Sequence, residues 1–161
     1  MNRSFLSPGF KLAACCLLLL ACGTSPRPVA APAQPLSIRT QVLIVRDDTA
    51  HVEVAATEEM RQVGLMFRTA MGENDGMLFV FDSVFPYRFW MRNTELPLSI
   101  AFIKTDGEIA DIQDMAPHDE ETHHESPAPV LYALEMNQGW FAKRGIKAGY
   151  KLGGAPFKPR G

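Results

Sequence analysis

The sequence predicts a mainly β protein, a compact β barrel or sandwich of about seven to eight strands with two short helices. Short apolar, β-branched runs recur along the chain, and turn residues such as glycine, aspartate and asparagine separate them. Helix signals are confined to two short segments. Residues 36–161 are numerous enough for one hydrophobic core but not for two, so a single domain is expected.

The first two predicted strands form a hairpin. Ile38–Val45 is rich in β-branched residues and alternates in part, which is typical of a strand. His51–Ala55 alternates cleanly between polar and apolar residues. The segment Arg46–Thr49 between them has turn character, so we expect the two strands to pair.

A short helix is predicted directly after this hairpin. Thr57 is a suitable N-cap residue, and Glu58 and Glu59 fall in the first turn, where the helix dipole favours negative charge. Gly64 is expected to end the helix, because glycine readily adopts the left-handed conformation found after the last turn.

The rest of the domain is predicted to consist of strands and one short terminal helix. Asp106-Gly107 separates two apolar runs, which indicates a hairpin turn. The segment Gly139–Arg144 is predicted to be a short helix or turn, capped by Gly145. The further predicted strands are Met77–Phe81, Tyr87–Arg92, Leu98–Ile103, Glu108–Ile112 and Val130–Met136.

The amino terminus has the features of a signal for export. Arg3 and Lys11 precede the apolar run Leu12–Ala21, which is too short to span a bilayer that needs about 20 apolar residues. The run ends in Leu19–Gly23, which resembles the lipobox of bacterial lipoproteins. The resemblance implies that residues 1–21 are a signal peptide and that Cys22 is lipidated, which anchors the chain stably to a membrane.

A proline-rich segment follows the predicted anchor. Gly23–Pro35 contains four prolines and no aromatic residue, so residues 22–35 are expected to tether the lipid to the domain. Glycine rather than aspartate follows Cys22, and by resemblance to Gram-negative lipoproteins this favours the outer membrane, facing the periplasm. The alternative to a lipoprotein signal is an ordinary secretory signal or an uncleaved segment of the core.

Cysteine content and charge exclude several classes of protein. Cys15 and Cys16 leave with the signal and Cys22 is acylated, so the mature domain has neither a cysteine nucleophile nor a disulfide. Removing residues 1–22 takes away two basic residues and no acidic one, which leaves 14 basic against 18 acidic side chains and a net charge of −4. The basic residues are scattered, so no nucleic-acid partner is expected, and no cofactor is predicted.

A series of short segments recurs along the domain in a recognisable order and spacing. The segments are Gly64–Arg68, Gly76–Phe81, Phe89–Thr94, Leu96–Leu98, Ala101–Ile103, Leu134–Asn137, Gly145–Ile146 and Gly149. They resemble the successive blocks of the domain-of-unknown-function family 192, from about Val52 to Leu152. The resemblance implies an often exported, mostly β protein without an established activity, and it implies an aspartate where this chain has Ser99.

Polar residues within these apolar segments are candidates for a binding site. A charged residue in an apolar strand is costly unless it is paired, and Glu135 lies in such a strand. One interpretation is a cleft for a small polar ligand such as a carboxylate or a sugar. The other is structural: an Arg–Glu pair, a satisfied turn and core aromatics. The candidate residues are Arg61, Arg68, Trp90, Arg92, Asn93, Thr94 and Glu135.

A second candidate site lies in the acidic segment His118–Glu125. His118, His123 and His124 occur there with four carboxylates, and imidazole and carboxylate groups are ligands for zinc, copper or nickel. The segment lies between prolines and lacks apolar periodicity, so the alternative is a solvated acidic loop without metal.

Three function classes remain open from the sequence. The favoured one is a non-enzymatic, membrane-anchored envelope module that binds a small polar ligand or an envelope protein. The second is a small envelope hydrolase that uses a carboxylate, although no Gly-x-Ser-x-Gly or His-Glu-x-x-His motif is present and no catalytic residue is assigned. The third is a structural or assembly lipoprotein.

Overall fold

A computed structural model describes residues 39–45, 48–153 and 156–157 of the chain. The predicted signal peptide, the predicted lipidation site Cys22 and the predicted tether lie outside the described residues. The strands are β1 (Arg39–Val45), β2 (Asp48–Ala55), β3 (Asp75–Phe85), β4 (Arg88–Phe89), β5 (Leu98–Ile103), β6 (Ile109–Met115), β7 (His124–Glu125) and β8 (Val130–Asn137). The helices are α1 (Glu58–Val63) and α2 (Trp140–Lys143).

Most of the strands belong to one six-stranded sheet with the order β1-β2-β3-β8-β5-β6. The pair β2–β3 is parallel and the other neighbours are antiparallel. The edge strands β1 and β6 do not pair with each other, and β4 and β7 form a separate two-stranded sheet. Among the described residues the architecture is therefore mainly β with two short helices, as predicted, and its large sheet is open.

Both predicted hairpins and the first helix are confirmed. β1 pairs antiparallel with β2, and β5 pairs antiparallel with β6 around the Asp106-Gly107 turn. The Thr57 hydroxyl accepts a hydrogen bond of 3.3 Å from the amide of Met60, as expected of an N-cap residue. Gly64 follows α1 with a φ of 51°, which glycine adopts at little cost.

The predicted strand Tyr87–Arg92 is wrong beyond its first half. Only Arg88–Phe89 is extended, and it pairs with the unpredicted strand β7. The chain then turns, because Asn93 has a φ of 53° and the Met91 amide donates to the Asp119 carbonyl instead of to a neighbouring strand. The β4–β7 pairing and the hydrogen bond from Met91 to Asp119 join residues far apart in the chain. The local alternation of polar and apolar residues therefore does not reveal them.

The large sheet is covered on both faces. Alternate residues of each strand point to opposite sides, so Leu78 and Leu134 pack with Trp140 and Phe141 on one side, the α2 face. On the other side, the cleft face, Phe79 packs with residues of β5, β8 and the segments after α1 and β4. Two-sided burial explains why β5 is buried along its whole length and is apolar except at Ser99.

No helix in the described part of the chain is long and apolar enough to cross a membrane.

Candidate functional site

The side chain of Glu135 is an acidic group on the apolar cleft face of the sheet. It lies in the middle of β8, where its neighbours across the sheet are Met77 on β3 and Ile100 on β5. The residue is only 5% exposed, and its carboxyl group has no hydrogen-bond or ion-pair partner among the described residues. A buried carboxylate without a partner costs free energy, so this group needs an explanation.

Burial changes the protonation of this carboxyl group. Loss of hydration disfavours the charged form and raises the pKa of Glu135 to about 8. At neutral pH the group is therefore mostly protonated, and it presents one hydroxyl donor and one carbonyl acceptor. Strongly shifted groups that face a cleft are frequent in binding and catalytic sites.

Glu135 forms part of the wall of a cleft of about 690 Å³, a volume typical of small-molecule sites. The cleft lies between α1 with the residues that follow it, the distal half of β3, and the segment around β4. Its lining comprises Glu58, Arg61, Gln62, Val63, Gly64, Leu65, Met66, Phe79, Phe81, Asp82, Ser83, Tyr87, Arg88, Phe89, Trp90, Thr94 and Glu135.

Aromatic side chains form much of this lining. The ring of Phe89 meets that of Phe79 at 85° with centroids 5.0 Å apart, and it meets Phe81 at 75°. Tyr87 stacks on Phe81 with centroids 3.5 Å apart. Trp90 is 48% exposed at the same cleft. The lining thus offers several ring planes that meet at steep angles.

Arg61 is the predicted basic residue that does reach the cleft, but its donors are already used. One terminal nitrogen donates to the carbonyls of Ala56 and Val80, both at 2.9 Å. The other donates to Glu58 at 3.1 Å and to Asp82 at 2.9 Å. Four of the five N–H groups of the guanidinium are therefore bound within the protein, and Arg61 joins α1 to β3.

The structure brings together four of the seven candidate residues. Arg61, Trp90, Thr94 and Glu135 line the cleft. Thr94 is 5% exposed, and its hydroxyl donates to the carbonyl of Arg92 at 3.3 Å, which is a turn contact.

Arg68 does not lie in this cleft and does not pair with Glu135. Its two terminal nitrogens donate to the two carboxylate oxygens of Glu53, each at 2.6 Å. This hydrogen-bonded pair raises the pKa of Arg68 further above its usual value. The arginine therefore stabilises β2 and the loop after α1.

Arg92 and Asn93 belong to the turn after β4 and are exposed. The guanidinium of Arg92 lies 5.9 Å from the ring centroid of Trp90, within range of a cation–π contact. The Asn93 carbonyl accepts a hydrogen bond of 2.8 Å from the Phe67 amide. Both contacts hold the turn beside the cleft.

The three histidines of the acidic segment occupy different environments. His118 and His123 are exposed, whereas His124 is buried in β7 with its Nδ1 atom 3.1 Å from the Gln113 side-chain oxygen. Burial of His124 corrects the expectation that the whole segment is an exposed loop. Within the described ranges, no three histidine, cysteine, aspartate or glutamate side chains are placed to hold a metal ion.

Sequence reasoning missed several residues of the cleft. Phe79 and Phe81 alternate along β3 on the side that faces Glu135, a period of two that points to a shared face. Glu58 and Tyr87 gave no signal of a shared site, because long-range packing of α1 and β4 against β3 brings them to the cleft.

Ser99 is buried beneath a different part of the fold. Its hydroxyl donates to the carboxylate of Asp114, its direct neighbour on β6, and accepts a hydrogen bond of 2.9 Å from the Gly139 amide. A carboxylate is thus present beside this position, although β6 rather than β5 supplies it.

The sequence of residues 41–154 matches the model of DUF192, a family described as "Uncharacterized ACR". The chain belongs to this family. No functionally curated protein is detectably similar to it.

Two solved structures are similar to this family 192 member. One is that of a candidate transcription regulator from Sinorhizobium meliloti 1021, at 37% identity and a TM-score of 0.70, which covers 76% of this chain and 98% of that protein. The other is a protein of unknown function from Novosphingobium aromaticivorans DSM 12444, at 36% identity and a TM-score of 0.65, with coverages of 78% and 94%.

Proposed function

We propose that this family 192 member is a binding module for a small polar ligand, which it holds in the cleft above Glu135. The observation that carries the proposal is the carboxyl group of Glu135. The residue is only 5% exposed, and its carboxyl group faces the cleft without a partner among the described residues. A ligand that pairs with this group recovers part of the free energy lost on its burial.

The remaining polar groups of the cleft favour binding over a purely structural role for Glu135. A structural glutamate would be expected to pair with Arg61, which lines the same cleft, but Arg61 pairs with Glu58 and Asp82 instead. The carboxyl group is therefore left available to a ligand.

We further propose that the module is attached to the cell envelope. The support is the sequence pattern: a lipobox-like Leu19–Gly23, the acylation site Cys22 and a proline-rich tether before the single domain at residues 36–161. This arrangement would hold the cleft a short distance from a membrane, and we propose the outer membrane, on its periplasmic side.

The similar protein from Sinorhizobium is described as a transcription regulator, and we do not propose this role for the present chain. The mature net charge of −4, from 14 basic and 18 acidic side chains, does not favour a polyanionic partner. The basic residues are also scattered along the sequence and form no cluster in it.

A small envelope hydrolase is the second candidate function. The raised pKa of Glu135, about 8, would allow this carboxyl group to act as a general acid near neutral pH. Hydrolysis of a glycosidic bond needs a second carboxylate, and Asp82 at the cleft is the group to test.

The proposal is tested by screening a library of small polar compounds for binding to the full chain by ligand-observed NMR. We expect compounds that bind the wild type and lose affinity at least tenfold in Glu135→Gln. Glu120→Gln, the same change at an exposed site outside the cleft, serves as the matched control. Absence of binders, or binders indifferent to Glu135→Gln, would overturn the binding function and favour a structural or assembly role. Hydrolysis of a bound compound that is lost when either Glu135 or Asp82 is replaced would favour the hydrolase.

A further inference from the structure

The lining of the cleft is specific enough to indicate the charge of its ligand. Nearly all polar side chains around Glu135 are committed to partners within the protein. The Gln62 amide donates to Glu58 at 3.0 Å, and the Tyr87 hydroxyl donates to the Ser83 carbonyl at 2.8 Å. A sugar needs several hydrogen-bonding groups, and most of those in this cleft are already bonded within the protein.

The electrostatic balance of the cleft is negative. Arg61 faces two carboxylates, Glu58 and Asp82, so the rim formed by these three residues carries a net negative charge. Arg88 is paired with Glu125 at 3.0 Å. Both basic side chains that line the cleft, Arg61 and Arg88, are therefore paired with carboxylates of the protein.

The aromatic rings of the lining already attract positive charge. The guanidinium of Arg61 lies 5.8 Å from the ring centroid of Phe81, and that of Arg92 lies 5.9 Å from the centroid of Trp90. The faces of aromatic rings attract cations, and rings that meet at steep angles can surround an alkylammonium group on several sides. Phe89 lies edge to face against the buried Phe79, and Trp90 is 48% exposed at the same cleft.

We propose that the cleft binds a small organic cation, a quaternary ammonium or protonated amine, with Phe79, Phe89 and Trp90 as its aromatic wall and the Glu135 carboxylate as its counter-charge. This inference rests on the proposed binding function and names the ligand class of the same site. Desolvation of both partners makes cation–π contacts and the ion pair stronger than they are in water.

Binding of such a ligand is coupled to ionisation of Glu135. The other charged or titratable groups around the cleft are Glu58 and Arg61 on α1, Asp82 on β3, Tyr87 before β4 and Arg88 on β4. With a pKa of about 8, Glu135 is about 3% ionised at pH 6.5 and about 90% ionised at pH 9. The affinity for a permanently charged ligand should therefore rise about 30-fold over this range.

The test uses choline and its uncharged isostere 3,3-dimethylbutan-1-ol as probes, with isothermal titration of the full chain at pH 6.5 and pH 9. Choline keeps its charge at both pH values, so any change in affinity reports on the protein. We expect saturable choline binding that strengthens about 30-fold at pH 9, and at least tenfold weaker binding of the isostere. Glu135→Gln should remove the pH dependence, whereas the control Glu120→Gln should keep it.

A second variant tests the aromatic wall. Phe89→Leu keeps an apolar side chain but removes the ring, and it should weaken choline binding about tenfold while hardly changing that of the isostere. Equal affinity for choline and the isostere, or a choline affinity independent of pH, overturns the inference. If neither probe binds while neutral compounds from the screen do, the ligand class is wrong but the binding function stands. If no compound binds at all, both fail.

Discussion

The guanidinium of Arg68 forms two hydrogen bonds of 2.6 Å with the carboxylate of Glu53, and this geometry leaves Glu135 without an arginine partner. Both residues of the pair are partly exposed, at 32% for the Arg68 side chain and 23% for that of Glu53. The two acidic residues therefore have different roles: Glu53 stabilises the fold, and Glu135 remains available at the cleft.

The Arg68–Glu53 pair should contribute to stability independently of Glu135. We expect Arg68→Ala to lower the free energy of unfolding by about 1 kcal/mol, since a two-pronged but partly exposed ion pair is screened by solvent. Urea denaturation of Arg68→Ala, of Glu53→Gln and of the double variant measures the coupling energy of the pair. In the same cycle with Arg68→Ala and Glu135→Gln, the two changes in the free energy of unfolding should add. A coupling energy between Arg68 and Glu135 would contradict the pairing of Arg68 with Glu53 alone.

The stability of the protein should depend on pH through Glu135. Its pKa rises from an ordinary value of 4.5 to about 8 on folding, so the native state retains a proton that the unfolded state loses between these values. Stability therefore falls as pH rises from 4.5 to 8 and does not return at higher pH, with a loss of the order of 5 kcal/mol.

Urea denaturation at several pH values checks this dependence. Glu135→Gln cannot ionise, so its stability relative to the wild type should increase steadily over the same interval. Identical pH profiles for the wild type and Glu135→Gln would show that the carboxyl group is not held in its neutral form.

Phe67 should be a strained residue whose replacement by glycine stabilises the protein. It has a φ of 64°, which is unfavourable for an aromatic residue, and its side chain is 69% exposed. Phe67→Gly removes the strain with little lost packing, so we expect the free energy of unfolding to rise by about 0.5–1 kcal/mol. Phe67→Ala is the control, because it shortens the side chain but keeps a Cβ atom, and thermal unfolding should show no comparable gain.

Gly76 should be required for the close approach of β3 and β8. A Cβ atom at this position would overlap the Glu135 carbonyl and the Met136 sulfur. Because the carbonyl belongs to the backbone of the neighbouring strand, we expect Gly76→Ala to lower the free energy of unfolding by about 2 kcal/mol. Thermal unfolding measures the loss, and Gly72→Ala, whose nearest contacts would be with the side chain of Asp75, is the milder comparison. Equal stability of Gly76→Ala and wild type would contradict the tight strand pairing.

Local patterns in the sequence determined the elements of the fold that depend on neighbouring residues. Thr57 and Gly64 marked the ends of α1, and Asp106-Gly107 marked the turn between β5 and β6. These features could be predicted because capping and tight turns need particular backbone conformations and hydrogen bonds within a few residues. Glu135 was recognisable as a candidate for a similar reason, since a charge within an apolar strand is costly in any fold.

Only the tertiary structure decided the partners of these residues. The pairing of β8 with both β3 and β5 placed Glu135 among Met77 and Ile100, and it left Arg68 to pair with Glu53. Arg61, on α1, lies at the cleft, but its guanidinium donates hydrogen bonds to groups such as the Ala56 carbonyl and the Asp82 carboxylate. Strand order, the parallel β2–β3 pair and the packing of α1 join residues far apart in the chain, so short-range periodicity cannot encode them. The sequence thus determined that burial of the Glu135 carboxyl group would cost free energy. The tertiary structure determined that no hydrogen bond or ion pair with the described residues compensates this group.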